Sequence, residues 1–420
     1  MMSRFPRRRE ARAVAAPRIG MFGLLGGGNI GNDGSLEALL AYLRTAHPGA
    51  ILDTRCPGPR RVKAAHGIDG SLLQWYTRYA NQTSGPAAVA LKVAGKGIDV
   101  FRTAAWVRRH DAVIVPGAGI LETTLPLRPW GVPYALFLAC ASGRLFGTKV
   151  ALVSVGGNVI NQRATRRLFI SAARLASYRS FRDAQSRDAA RRQGLDTSAD
   201  PVYPDLVFGL PAPPSGPADP QTVGIGVMTY YGSNDDRRRA GQIHAAYMEQ
   251  MKCFARWLLD NDHKIRLFTG DDVDESAVAE MVTDLRAYRP DLGPGWVVAE
   301  PVTSLTELMR QMALCGTIVA TRYHNVLCAL KLAKPTVSVG YAAKNDALMA
   351  DMGLGEYCQS ARALDVELLI KQFTELQNPA PGLRRAMLER GAGKARRLDE
   401  QFALLSRTLI GAAPAPRGQA

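Results

Sequence analysis

The chain has 420 residues, 47% of them hydrophobic, and a formal charge of +16 from 53 Lys and Arg against 37 Asp and Glu. That length exceeds what one core usually organises, so two domains are expected, and the composition excludes a largely disordered or collagen-like chain. No apolar run approaches the roughly 18 residues needed to span a bilayer, and the six scattered cysteines contain no C-x-x-C pair, which excludes a familiar zinc or disulfide framework.

In chain order, residues 1–17 form an arginine-rich arm without the apolar core of a secretory signal, suited either to rest on an anionic membrane or to solubilise the chain. Residues 18–26 then read as a first strand, followed by a helix over 34–49 with apolar positions at 36, 39, 40 and 43. Strand patterns recur at 50–55, 110–119, 149–158 and 178–183, and a helix capped by Gly194 follows the last; the stretch 56–105 is basic and less regular. Five prolines within residues 211–222 mark a linker. Beyond it, strands are expected at 223–232, 263–272, 315–325 and 334–341, with helices at 240–261, 273–288, 304–314 and 325–333. Such alternation in both halves predicts two Rossmann-like α/β domains, 18–210 and 223–405, facing across a cleft in the glycosyltransferase-B manner, with a disordered tail at 406–420.

The loop after the first strand, GLLGGGNIGNDGS, carries a G-x-G-x-x-G at Gly26, Gly28 and Gly31, and Asp53 lies at the second strand where a dinucleotide fingerprint needs an acid. Physically the loop promises less: close approach of backbone, and free N–H groups at a helix start that suit any phosphate or carboxylate. Asn29 and Asp33 are candidate caps or ligand contacts. An NAD-dependent oxidoreductase therefore stays open at this point.

Several motifs in fixed order, "GNIGNDGSLEALL", "VPGAGILE", "SVGG", "SFRDAQSRDAARRQGL", "YPDLVF", "TRYHNVLCALKLAKPTVSVGY" and "KNDALMADMGL", resemble the polysaccharide pyruvyl transferase family over roughly residues 18–400. Asn32 stands where that family commonly has Asp, with Asp33 next to it, and Asn325 stands where Gly is common. The resemblance implies transfer of a pyruvyl group from phosphoenolpyruvate to two sugar hydroxyls of a polysaccharide or glycolipid precursor, forming a cyclic ketal, in the cytoplasm or at the inner membrane face. No cofactor, metal or nucleic-acid partner is expected.

That chemistry needs an acid to protonate the donor's methylene carbon and cations to hold its carboxylate and phosphate. The resemblance places the family's active-site histidine at His324, at a strand-to-helix turn. An imidazole there titrates in the right range, although a structural or phosphate-binding histidine would also fit. Arg182 matches a strand-end arginine whose planar fork grips carboxylate or phosphate, and Lys344 after Tyr341 matches the family's lysine. Arg322, two residues before His324, is either a phosphate ligand or a framework ion pair. Asp205 is expected as a structural acceptor. Glu122 and Asn158 lie in strand-end loops that could receive the acceptor's hydroxyls, with Gly28, Asn29, Gly31 and Asp33 on the cleft floor. A nucleotide-sugar glycosyltransferase and a non-catalytic scaffold are the remaining alternatives.

Overall fold

The computed structural model describes residues 16–79, 84–122, 129–214, 216–232, 234–378 and 380–411. The basic arm expected at 1–17 lies almost wholly outside these residues, and so does the chain after 411.

Six strands build the first sheet: β1 (Arg18–Phe22), β2 (Ile51–Cys56), β3 (Asp69–Leu72), β4 (Ala112–Pro116), β5 (Lys149–Val155) and β6 (Tyr178–Phe181). They pair in the order β3-β2-β1-β4-β5-β6, every pairing parallel. The connecting helices are α1 (Ile30–Ala46), α2 (Pro59–His66), α3 (Gly85–Val107), α4 (Val132–Phe146), α5 (Arg163–Leu175) and α6 (Ala184–Arg192). Parallel sheets covered on both faces demand unbroken apolar strands; β4, AVIVP, is buried at every position. Gly20 in β1 has no room for a side chain, since a Cβ would sit 2.6 Å from the Trp106 ring.

The second sheet repeats the plan with β7 (Asp219–Gly226), β8 (Lys264–Phe268), β9 (Val297–Val298), β10 (Cys315–Ala320), β11 (Thr336–Gly340) and β12 (Cys358–Ser360), ordered β12-β11-β10-β7-β8-β9 and again parallel. Its helices are α7 (Ala240–Asp260), α8 (Glu275–Tyr288), α9 (Leu305–Ala313), α10 (Tyr323–Lys331), α11 (Ala343–Asp351) and α12 (Val366–Gln377); α13 (Leu383–Leu405) follows. In each sheet the strand order reverses beside the first strand. Ligands of open α/β sheets bind at such switch points, beyond the carboxyl ends of the strands. Two Rossmann-like domains thus face each other in the glycosyltransferase-B arrangement.

Three boundaries differ from the sequence reading. β7 begins at Asp219, inside the proline-rich segment, and Pro220 is accommodated by a register shift opposite Gly316, where any side chain would strike it. α13 keeps contact with the second domain, where Lys394 pairs with Asp351, but also packs on the first, where buried Gln401 bonds Ser154 Oγ at 3.0 Å and Ser180 Oγ at 2.7 Å and Phe402 stacks on Tyr42. The helical path then continues through Ser406–Ile410, residues assigned above to a disordered tail, because the Ser406 hydroxyl bonds both Tyr42 and His47 at 2.7 Å.

Candidate active site

The glycine loop is a seam between the domains. Gly26 and Gly28 take positive φ angles of 66° and 98°, a conformation that favours glycine. Each glycine of the motif is pressed by protein: Gly26 by the Gly58 backbone, Gly28 by the Asp272 side chain, and Gly31 by the His324 ring. Asn29 caps α1, its Oδ1 accepting from the Gly31 and Asn32 N–H groups, while its Nδ2 donates to Asp271 Oδ2 of the other domain at 2.8 Å. Asp33 turns back on the loop and accepts the Gly26 N–H at 2.6 Å. The Gly26, Gly31, Asn32 and Asp33 N–H groups are therefore bonded from within the loop. Asp53 sits within β2, bonded by Trp106 Nε1 and by His110 Nε2, each at 2.9 Å, so the acid of the dinucleotide fingerprint is engaged inside the fold.

This seam divides the gap between the sheets. On the side of β1, β2, β8 and β9 lies an open cleft of about 1140 Å³, lined by Gly28, Asp33, Arg61, Asp272 and Arg286 among others. The ends of β4, β6, β10 and β11 converge on the other side in a nearly closed cluster of charged groups. The open cleft is thus not where the reactive side chains meet, and the cluster has the stronger claim because its groups converge on one another.

Arg182, which follows β6, is buried and surrounded by carboxylates: Glu122 against Nη2, Asp205 Oδ2 at 3.4 Å from Nη1, and Asp183 Oδ2 at 3.5 Å from Nε. Its guanidinium lies 4.5 Å from the centre of the Tyr323 ring. From the second domain, Lys344 in the first turn of α11 extends to Glu122 Oε2 at 2.7 Å and stands over the rings of Tyr323 and Tyr341, each 5.4 Å away. His324, in the first turn of α10, points its Nε2 at Asp205 Oδ2, the same oxygen that faces Arg182, at 3.8 Å. That is too long for a hydrogen bond, and both His324 Nε2 and Arg182 Nε are buried without a hydrogen-bond partner. Unsatisfied buried groups are costly; Arg182 Nε still keeps its ion pair with Asp183, while His324 Nε2 faces Asp205 by charge alone.

A family model described as polysaccharide pyruvyl transferase matches residues 29–342, which contain Arg182, His324 and the end of the glycine loop from Asn29 onward. The chain belongs to the polysaccharide pyruvyl transferase family. None of the curated proteins matches the sequence significantly. Solved structures share its fold at low identity. An assigned UDP-N-acetylglucosamine 2-epimerase from Listeria monocytogenes aligns with TM-score 0.59 at 12% identity, over 94% of this chain and 97% of its own. UDP-GlcNAc 2-epimerase from Neisseria meningitidis bound to UDP-GlcNAc gives 0.58 at 11%, over 93% and 100%. The lipopolysaccharide outer core galactosyltransferase WaaB gives 0.52 at 12%, over 93% and 99%.

Charge in this family member's cluster is finely opposed. Burial pushes the His324 imidazole down to about 4; Asp205 opposes this while Arg182 and Lys344 reinforce it. Burial would raise the Glu122 carboxyl, yet Arg182 and Lys344 together hold it at about 2. Burial also works against the Arg182 charge, but Glu122 and the other acids around it raise its pKa above the usual value.

Among the residues picked from the sequence, the structure brings His324, Arg182, Lys344 and Glu122 together, with Asp205 beneath them and Gly31 against the imidazole. Arg322 goes elsewhere. β10 ends at Ala320, so strand alternation no longer governs where Arg322 points, and it forms a two-point pair with buried Asp274 at 2.8 and 2.7 Å. Asn158 lies beyond Gly156 and Gly157, its carbonyl accepting from Gln193 Nε2 at 3.0 Å. Asn325 fills the space against Gly226 and Gly270 under α10, where it serves packing. Sequence reasoning missed Tyr323, the ring shared by both cations, and the acids Asp271 and Asp272 that close the seam; the Asp-Asp pair at the end of β8 was the available signal for the latter.

Proposed function

We propose that the chain transfers a pyruvyl group from phosphoenolpyruvate to two hydroxyls of a saccharide, forming a cyclic ketal. What supports this most is the convergence of His324, Arg182 and Lys344 from the two domains on one buried cluster, in a chain of the pyruvyl transferase family.

In this reading Arg182 and Lys344 hold the donor's carboxylate and phosphate between the domains, one by a planar fork and the other by a point charge. His324, protonated once the donor's negative charge is beside it, delivers its proton to the methylene carbon. The cationic character at C2 is then quenched by one sugar hydroxyl, which gives up its proton as the C–O bond forms. Departure of phosphate and attack of the second hydroxyl close the ketal, with loss of the second hydroxyl proton. Asp205 holds the imidazolium by charge and keeps Arg182 in place. A phosphoenolpyruvate donor assigns the reaction to the cytoplasm, and no helix among the described residues is long and apolar enough to cross a membrane.

The test is release of phosphate from phosphoenolpyruvate in the presence of saccharide acceptors. His324→Ala and Arg182→Ala should each lower turnover by at least about a hundredfold, with circular dichroism unchanged. Consumption of a nucleotide-sugar, and not of phosphoenolpyruvate, would replace this reading with a glycosyltransferase.

A further inference from the structure

The reaction above gives Glu122 no task, and its position is specific. It follows β4 and Gly119, is nearly buried, and divides its two oxygens between the two cations, Oε1 on Arg182 of its own domain and Oε2 on Lys344 of the other. A carboxylate shared between a guanidinium and an ammonium across the domain gap is the arrangement that the proposed donor would itself need.

We infer that Glu122 is a resident carboxylate occupying the seat of the donor's anionic group, so that donor binding is an exchange of one anion for another. The inference rests on the donor-clamp reading of Arg182 and Lys344. Charge accounting carries it further. Two cations, Arg182 and Lys344, already face three carboxylates, those of Glu122, Asp183 and Asp205, with Tyr323 and a neutral His324 completing the wall. A multiply charged donor entering such a cluster unchanged would leave several like charges buried a few ångströms apart, which low-dielectric surroundings penalise heavily. Arg182 keeps Asp205 and Asp183 when Glu122 leaves, so its framework survives the exchange. Lys344 has its ion pair with Glu122 alone among the described residues, and is the cation most fully released to the donor. Selectivity follows as well: a ligand with a single weak negative charge would not displace Glu122 from two cations, whereas one presenting both a carboxylate and a phosphate would.

Calorimetric titration of phosphoenolpyruvate without acceptor tests this on the full chain. In Glu122→Gln the side chain keeps its size but loses the charge, and donor affinity should rise by about tenfold, the effect of removing one close like charge. Glu122→Asp, too short to span both cations, should show a smaller rise and serves if the glutamine variant does not fold. Unchanged or weaker binding in a variant that melts like the parent would overturn the inference and make Glu122 a simple latch between domains. Lys344→Met separates the two readings. Loss of donor binding there without a gain in Glu122→Gln removes only the exchange, while unaltered binding in Lys344→Met removes the donor clamp itself.

Discussion

The imidazole of His324 lies flat against Gly31, the second residue of α1 in the opposite domain, so closely that a Cβ at position 31 would overlap the ring. One hydrogen atom in the first domain thereby fixes the place of the proposed proton donor in the second.

Gly31→Ala should therefore act on chemistry and not on helix stability. Alanine favours a helix over glycine by roughly 1 kcal/mol, so α1 itself gains, while the ring must turn away or the domains must part. Turnover of phosphoenolpyruvate should fall by at least about tenfold, since a displacement near 1 Å at a catalytic group can cost far more. Thermal melting should shift by only a few degrees. A variant with near-parental turnover would show that the His324 position tolerates a wider gap.

His324 gives a second expectation, read in its pH dependence. Its pKa falls from 6.5 to about 4 on folding because burial disfavours the charged ring, so between those values the unfolded chain binds a proton that the native one refuses. Stability should then decline as pH falls from 6.5 toward 4, by roughly 3 kcal/mol from this group, and His324→Gln should remove that part of the slope. Donor binding reverses the sign locally: added negative charge raises the imidazole's pKa, so binding takes up a proton and weakens as pH rises. The donor's own phosphate titrates in a similar range. The difference in pH slope between the parent and His324→Gln, measured by titration calorimetry, isolates the histidine.

Why some of this was legible in the sequence and some was not follows from the residues themselves. Apolar runs such as AVIVP and ALVSV announce buried parallel strands on their own. β3, with the sequence DGSL, carries no such run, and α3 leaves Val89, Val93 and Phe101 exposed, so neither pattern stands out between residues 56 and 105. Arg182, His324 and Lys344 were visible through the family resemblance, to which the strand-end positions of Arg182 and His324 added weight. Their partners were not, since the pairing of Glu122 with Lys344 depends on how one domain sits on the other. The glycine motif shows the limit most sharply: its spacing is the same whether a pyrophosphate or a histidine ring presses on the glycines, and only the domain interface distinguishes the two.

Arg322 and Asp274 lead to a prediction of the opposite kind, a stability effect at a position that the sequence offered as either a phosphate ligand or a framework ion pair, and where the structure shows the second. Asp274 is fully buried and takes both Nε and Nη2 of Arg322. Removing the acid alone in Asp274→Asn strands a largely buried guanidinium, which should cost about 3–5 kcal/mol and lower the melting temperature clearly. The paired change Arg322→Met with Asp274→Leu replaces the ion pair by apolar volume and should recover most of that loss. Denaturant melts of Asp274→Asn, of Arg322→Met and Asp274→Leu singly, and of the double variant decide it; additive losses in the double variant would mean that the two residues do not act as a pair.

The last helix supplies a prediction about which half of the molecule depends on it. α13 follows the second domain in sequence but buries Leu398, Phe402 and Leu405, and its Gln401 links Ser154 at the end of β5 to Ser180 in β6. Replacing Gln401 by Leu would leave two buried hydroxyls without that partner, each costing about 1–3 kcal/mol. Hydrogen exchange should accelerate in β5 and β6, far away in sequence, and remain at the parental rate in β10 and β11, which α13 does not support through these bonds. Faster exchange confined to β10 and β11 would mean that the helix serves chiefly the second domain, through contacts such as Lys394 with Asp351.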